Sequence, residues 1–185
     1  MGTRITPKWT ETTKAAFGDT VETQKGLRAE KLILEYLESV YDEVTWYENN
    51  REKQVAGIDF EFKKNEWANY YTADVKGNLN RGYFYVYPEE MKKKKNHRMI
   101  HVDVNTGYAI EYDRSSMVRF AEKQMDFPLM AGRVDRNGKK FLKLDVWTVK
   151  NSNAVDHFRR FRLKNFKPSK EYITKVIDKY EIPGI

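Results

Sequence analysis

Three acids and one lysine stand where packing alone would place other residues. From Gly26 to Tyr41 the chain has a helical pattern: Leu27, Leu34, Leu37 and Tyr41 form one stripe, and Ile33 and Val40 widen it. Glu30 falls on that stripe. A helix that only packed would carry Leu or Ala there, because an unpaired buried carboxylate is heavily penalised or must hold a proton. One reading puts Glu30 at the edge of the stripe or pairs it with a Lys or Arg; the other gives it chemistry to do. The second irregularity is a hairpin. Val55 to Lys63 alternates, with Ile58, Phe60 and Phe62 on one face and Asp59, Glu61 and Lys63 on the other. Tyr70 to Lys76 alternates again, and Lys64 to Asn69 supplies turn residues. Asp74 and Lys76, two apart on one strand, share a face. If Lys63 and Tyr70 close the hairpin, Asp59 lies opposite Asp74 with Cβ atoms about 5 Å apart, and a two-residue slip still leaves both acids on one side. Such like charges are destabilising unless a cation neutralises them. Lys76 bridging the acids on a solvent face is one solution; a bound metal is the other.

Converging carboxylates and one lysine fit Mg²⁺. It is a hard cation that takes oxygen ligands, usually one or two carboxylates completed by water and phosphate oxygens. It would cancel the repulsion, acidify a bound water and stabilise charge on a phosphate. Lys76 could position or deprotonate that water, or pair with the phosphate.

Glu30 in the helix, Gly57-Ile58-Asp59 on one strand and Asp74-Val75-Lys76 on the next resemble the core of the PD-(D/E)XK nuclease superfamily. The opening Gly26-Leu27-Arg28-Ala29-Glu30 is similar to the first helix of its resolvase-like and restriction-like members. The resemblance runs from Gly26 to Gly77. It implies that Asp59 and Asp74 bind Mg²⁺ (with Mn²⁺ able to substitute), that Val75 lends a backbone carbonyl to the metal, that Lys76 is the catalytic lysine, and that Glu30 assists the metal or its water. Ile58 stands where the superfamily's name has proline. The implied activity is metal-dependent hydrolysis of DNA phosphodiester bonds, on duplex or branched substrates, with a homodimer if two strands are cut. The alternative is a non-catalytic nucleic-acid-binding module that keeps the same fold.

These residues need elements to hold them. A strand is expected over Val44–Glu48 and another over Tyr83–Tyr87, stopped by Pro88. Met99–Val104 and Tyr108–Tyr112 flank Asn105-Thr106-Gly107 as a second hairpin, and Leu129–Val134 and Lys139–Val149 flank Asn137-Gly138 as a third. Ser115 or Ser116 caps a helix reaching about Gln124. Ser169 opens a last helix with Tyr172, Ile173, Val176, Ile177 and Tyr180 on one face. The expected fold is α+β, an α/β/α restriction-endonuclease-like arrangement with a mixed, largely antiparallel central sheet flanked by helices. Residues 1–20 are expected to be an arm and 21–185 a single domain.

The 185 residues carry 34 Lys+Arg against 27 Asp+Glu, a net charge of +7, with 14% aromatic residues. That balance favours an anionic partner, most often nucleic acid. Two clusters hold the excess: Lys92, Lys93, Lys94 and Lys95 with Arg98, and Arg159, Arg160 and Arg162 interleaved with Phe158, Phe161 and Phe166. A solvated surface and core phenylalanines are the plainer readings of each. Arg81 and Tyr83, just past the acids, are candidate backbone contacts. His97, His101 and His157 share no metal-ligand spacing and receive no role. The absence of cysteine excludes disulfides, thiol nucleophiles and thiolate metal sites, and suits a reducing cytoplasm. No apolar run long enough for a membrane span and no basic-then-apolar amino terminus is present, so a cytoplasmic location is expected.

Overall fold

The computed structural model describes residues 21–126 and 133–180. The expected arm, and residues 129–132 of the expected strand over Leu129–Val134, lie outside them. The first helix, α1, runs Val21–Val40 and buries Ala29, Ile33, Leu34 and Leu37. Strand β1 (Glu43–Trp46) follows, then a short helix α2 (Arg51–Val55), then β2 (Phe60–Lys63) and β3 (Tyr71–Lys76). Next come β4 (Tyr83–Val86), α3 (Pro88–Lys93), β5 (Arg98–Val102), β6 (Tyr108–Asp113) and α4 (Arg114–Met125). The described residues finish with β7 (Leu142–Asp145), α5 (Val146–Ser152), β8 (Arg159–Arg162) and α6 (Lys170–Tyr180). No helix among the described residues is long and apolar enough to cross a membrane.

This is a mixed α+β fold. Six strands form a sheet in the order β1-β2-β3-β5-β6-β8, in which only β3 and β5 run parallel. The crossover between those two strands carries β4 and α3, and β4 leaves the main sheet to pair with β7 in a separate ribbon. Alternation along the strands sends side chains to two cores. Phe60, Phe62, Ala73, Val75, Ile100 and Val102 pack under α1, while Met99, Ile110 and Tyr112 face the ribbon and α4. β3 is buried over its four middle residues because both of its faces are covered.

Several expectations are corrected. The first half of the strand expected over Val55–Lys63 is not strand: α2 ends at Val55, which is exposed, a turn over Ala56 and Gly57 follows, and β2 begins only at Phe60. The Asn50 side chain accepts from the Lys53 N–H and starts α2. Pro88 does follow β4, and it also opens α3 at the first helical position, where its missing N–H costs nothing. The cap of α4 is Asp113, whose carboxylate accepts from the Ser116 N–H at 2.8 Å, so neither serine serves. The Asn137-Gly138 turn forms, with the Asp135 N–H donating to the Lys139 carbonyl at 2.9 Å, but the flanking segment becomes β7 and then α5. Asp145 caps α5 through the Thr148 N–H and ends the strand there. β7 finds its partner in distant β4, because Leu142 and Leu144 share a core with Phe84 and Val86.

Candidate active site

The acidic hairpin forms in the expected register. Phe60 pairs with Ala73, Glu61 with Thr72 and Phe62 with Tyr71; Asp59 stands just before the first paired residue, outside the ladder, and lines the same cleft as Asp74. Both acids are buried, at 7% and 5% exposure, so this is not a solvent face. The Asp59 backbone N–H donates to the Ala73 carbonyl at 2.9 Å, and its side-chain Oδ2 accepts the Val75 N–H at 2.7 Å. Burial, reinforced by the charges of Asp74 and Glu30, pushes the Asp59 carboxyl well above the usual carboxylate range.

Lys76 lies two residues beyond Asp74 and binds it, Nζ standing 3.2 Å from Oδ1 and 3.0 Å from Oδ2. The negative charge of Asp74, with further help from Asp59 and Glu30, holds this ammonium above its ordinary pKa. Half of the Lys76 side chain remains exposed to the cleft. Glu30 reaches the group from α1. Its Oε2 accepts the Trp46 Nε1–H at 2.8 Å, and burial raises its pKa to about 7 against the opposing pull of Trp46 and Lys76.

Glu30, Asp59, Asp74, Val75 and Lys76 thus line one cleft of about 600 Å³. Its size is that of an ordinary ligand site. Gly77 lets α1 approach: a Cβ at this position would lie 2.8 Å from the Lys25 carbonyl oxygen. Behind the acids stands a buried polar relay that sequence spacing did not disclose. His101, beside Lys76 in the parallel ladder, contacts Asn78 Oδ1 through Nδ1 at 2.5 Å and the Tyr112 hydroxyl through Nε2 at 2.6 Å. Burial, and then Lys76, lower the His101 pKa to about 3, so the ring is neutral. Trp46, Gly77, Asn78 and His101 were all missed as site residues. Only Trp46 had a signal, since it stands two residues after buried Val44 on the same strand face.

The donors suit a hard cation in kind: two buried carboxylates whose mutual repulsion a cation would relieve, with a third nearby. No three His, Asp or Glu side chains among the described residues already cluster as a coordination shell. A Mg²⁺ held by two carboxylates needs none, because water and phosphate supply the rest.

The basic candidates separate into groups. Arg98 pairs with Asp113 at 3.4 Å and Glu111 at 4.0 Å, and Arg159 pairs with Glu111 at 2.7 Å, so both have partners inside the sheet. Lys92 pairs with Glu122 at 3.0 Å, and Lys94 donates to the Gln54 and Val55 carbonyls at 3.3 Å, tying down α2. Arg160 and Arg162 lie over the Tyr108 ring at 4.4 and 5.5 Å on the edge strand β8. Arg81, Lys93 and Lys95 are exposed. Phe158, Phe161 and Phe166 pack against the cores, as the plainer reading held.

Comparisons with protein-family models, with curated proteins and with solved structures find no match to this chain.

Proposed function

We propose that the protein is a divalent-metal-dependent nuclease that hydrolyses DNA phosphodiester bonds, built on a variant of the restriction-endonuclease-like α/β/α core. The observation that carries this reading is the meeting of buried Asp59 and buried Asp74 in one cleft, with Lys76 two residues beyond Asp74 and Glu30 lining the same cleft. Asp59, Asp74 and the Val75 carbonyl would hold Mg²⁺ or Mn²⁺. When bound, that ion supplies an acidified water and offsets charge on the phosphate. Lys76, kept as an ammonium by Asp74 and half exposed along its side chain, would pair with the phosphate, which favours charge pairing over a role as base. Glu30, oriented by the Trp46 indole, assists the attacking water from the helix side.

The test is phosphodiesterase activity on duplex, branched and single-stranded DNA with Mg²⁺ or Mn²⁺. Asp74→Ala and Lys76→Ala are each expected to lose roughly 100-fold or more. Undiminished cleavage by both variants would sink the assignment.

One observation favours a second reading, a binding module that does not cut. Lys76 already neutralises Asp74. Salt-sensitive DNA binding without cleavage under any divalent metal would select it.

A further inference from the structure

We infer that the outer face of the β4–β7 ribbon binds an unpaired DNA strand by base stacking and leads it past the acidic cleft; this rests on the reading that the protein acts on nucleic acid. The ribbon has two faces. Phe84, Val86, Leu142 and Leu144 are buried in the core, while Tyr83 and Tyr85 point outward at 44% and 36% exposure. The register sets Tyr83 opposite Asp145 and Tyr85 opposite Lys143. A solvated strand face is ordinarily filled with small polar or charged residues; a row of aromatics there is a binding surface in waiting.

Three features make that surface fit an unpaired strand. The first is spacing. Alternate residues on a strand stand about 6.6 Å apart, so successive tyrosines offer separate platforms for splayed bases. A duplex hides its base faces and would leave such rings unused. The second is charge. Lys143 Nζ lies over the Tyr83 ring at 4.7 Å, placing a cation for phosphate within the aromatic row, whereas Asp145 is engaged in capping α5. An apolar protein partner would have no use for that cation, in a chain of net charge +7.

The third is a strained turn. Asn80 and Tyr83 exchange backbone bonds of 2.8 and 2.9 Å around Arg81 and Gly82, which have φ of 51° and 82°. Glycine adopts this conformation freely; arginine does so only under strain, and strain of this kind gathers at functional sites. The turn holds exposed Arg81 at the tip of the ribbon. The Val146 N–H donates to the Gly82 carbonyl at 2.8 Å, which brings the first turn of α5 and Trp147, 70% exposed, to the same end. The ribbon also borders the cleft, since Tyr85 from β4 and Asn80 from the turn line it with Asp59, Asp74 and Lys76. Asn78, braced by His101, donates to the Tyr85 carbonyl at 3.2 Å and fixes the ribbon to the site.

The experiment is fluorescence anisotropy of the full chain with a labelled single-stranded oligonucleotide and its duplex, in EDTA so that nothing is cut. Wild type is expected to prefer the single strand. Tyr83→Ala and Tyr85→Ala should each weaken single-strand binding about tenfold and leave duplex binding nearly unchanged, because one base–aromatic stack is worth about that factor. Tyr83→Phe and Tyr85→Phe should keep wild-type affinity, which separates stacking from loss of the hydroxyl. Equal affinity for both DNAs, or alanine variants that bind the single strand like wild type, would overturn the inference. Cleavage with no dependence on the tyrosines overturns the ribbon alone. Tyrosine-dependent binding without cleavage overturns the nuclease alone, and no DNA binding at all overturns both.

Discussion

The indole N–H of Trp46 donates to Oε2 of Glu30 across 2.8 Å, joining the end of β1 to the middle of α1. Trp46 is fully buried, so the bond is made where water competes least. It stabilises the ionised form of a carboxylate that burial otherwise drives toward protonation. Trp46→Phe removes the donor and keeps much of the volume. The Glu30 pKa should rise above about 7, read by carbon NMR titration of the side-chain carboxyl, and a fall toward the ordinary value would refute the account.

Glu30 also sets a pH dependence. Its pKa is 4.5 when unperturbed and about 7 in the fold, so the folded protein binds the proton more tightly than the unfolded chain. The associated stability is fully present below pH 4.5 and is lost as pH rises to about 7. Glu30→Gln should escape that loss. In metal-free buffer its stability relative to wild type should grow across this window by on the order of 3 kcal/mol, measured by denaturant titration at each pH. A difference that stays flat with pH would show that Glu30 does not titrate there.

Gly77 lies where α1 presses on the end of β3. A methyl group there meets the Lys25 backbone oxygen at 2.8 Å, and backbone cannot swing aside as a side chain can. Gly77→Ala should destabilise by about 1–3 kcal/mol through overpacking. Because Lys76 is its neighbour, cleavage should also fall when measured at a temperature where wild type and variant both remain folded.

Arg98 and Arg159 share Glu111 as a partner, and Arg98 is only 15% exposed on its side chain. Arg98→Ala leaves Asp113 and Glu111 short of a cation and should cost about 2 kcal/mol of stability, less than a fully buried pair would. The salt dependence of DNA binding should stay as in wild type, whereas Arg81→Ala should reduce its slope by about one. A shallower slope for Arg98→Ala would make that residue a phosphate contact.

Much of the acid cluster could be read from the chain because its geometry is local. The alternation of Phe60 and Phe62 against Ala73 and Val75 fixes which residues face α1, and the register of the β2–β3 hairpin follows from it; Asp59 falls just outside that ladder yet lines one cleft with Asp74. The β5–β6 hairpin was legible for the same reason, its turn closed by Asp103 accepting from the Asn105 and Thr106 N–H groups. The stripe containing Glu30 marked a conflict but not its resolution, because Trp46 comes from another element. What sequence hid was long-range. Tyr83–Tyr87 and Lys139–Val149 each carry a strand pattern, yet nothing local says that β4 and β7 choose each other over nearer partners. The parallel pairing of β3 with β5 and the His101–Asn78 relay depend on the same crossover.

That difference in range sets an order of assembly. Phe62 meets Tyr71 across a short loop, whereas Tyr83 meets Asp145 only after most of the intervening chain has been gathered in. Closing the longer loop loses more chain entropy before any contact compensates it. The β2–β3 hairpin is therefore expected to form before the tyrosine ribbon. The same ranking holds in the native state: the ribbon, held by only two short strands, is expected to open before the six-stranded sheet, and its amides should exchange with solvent before those of that sheet.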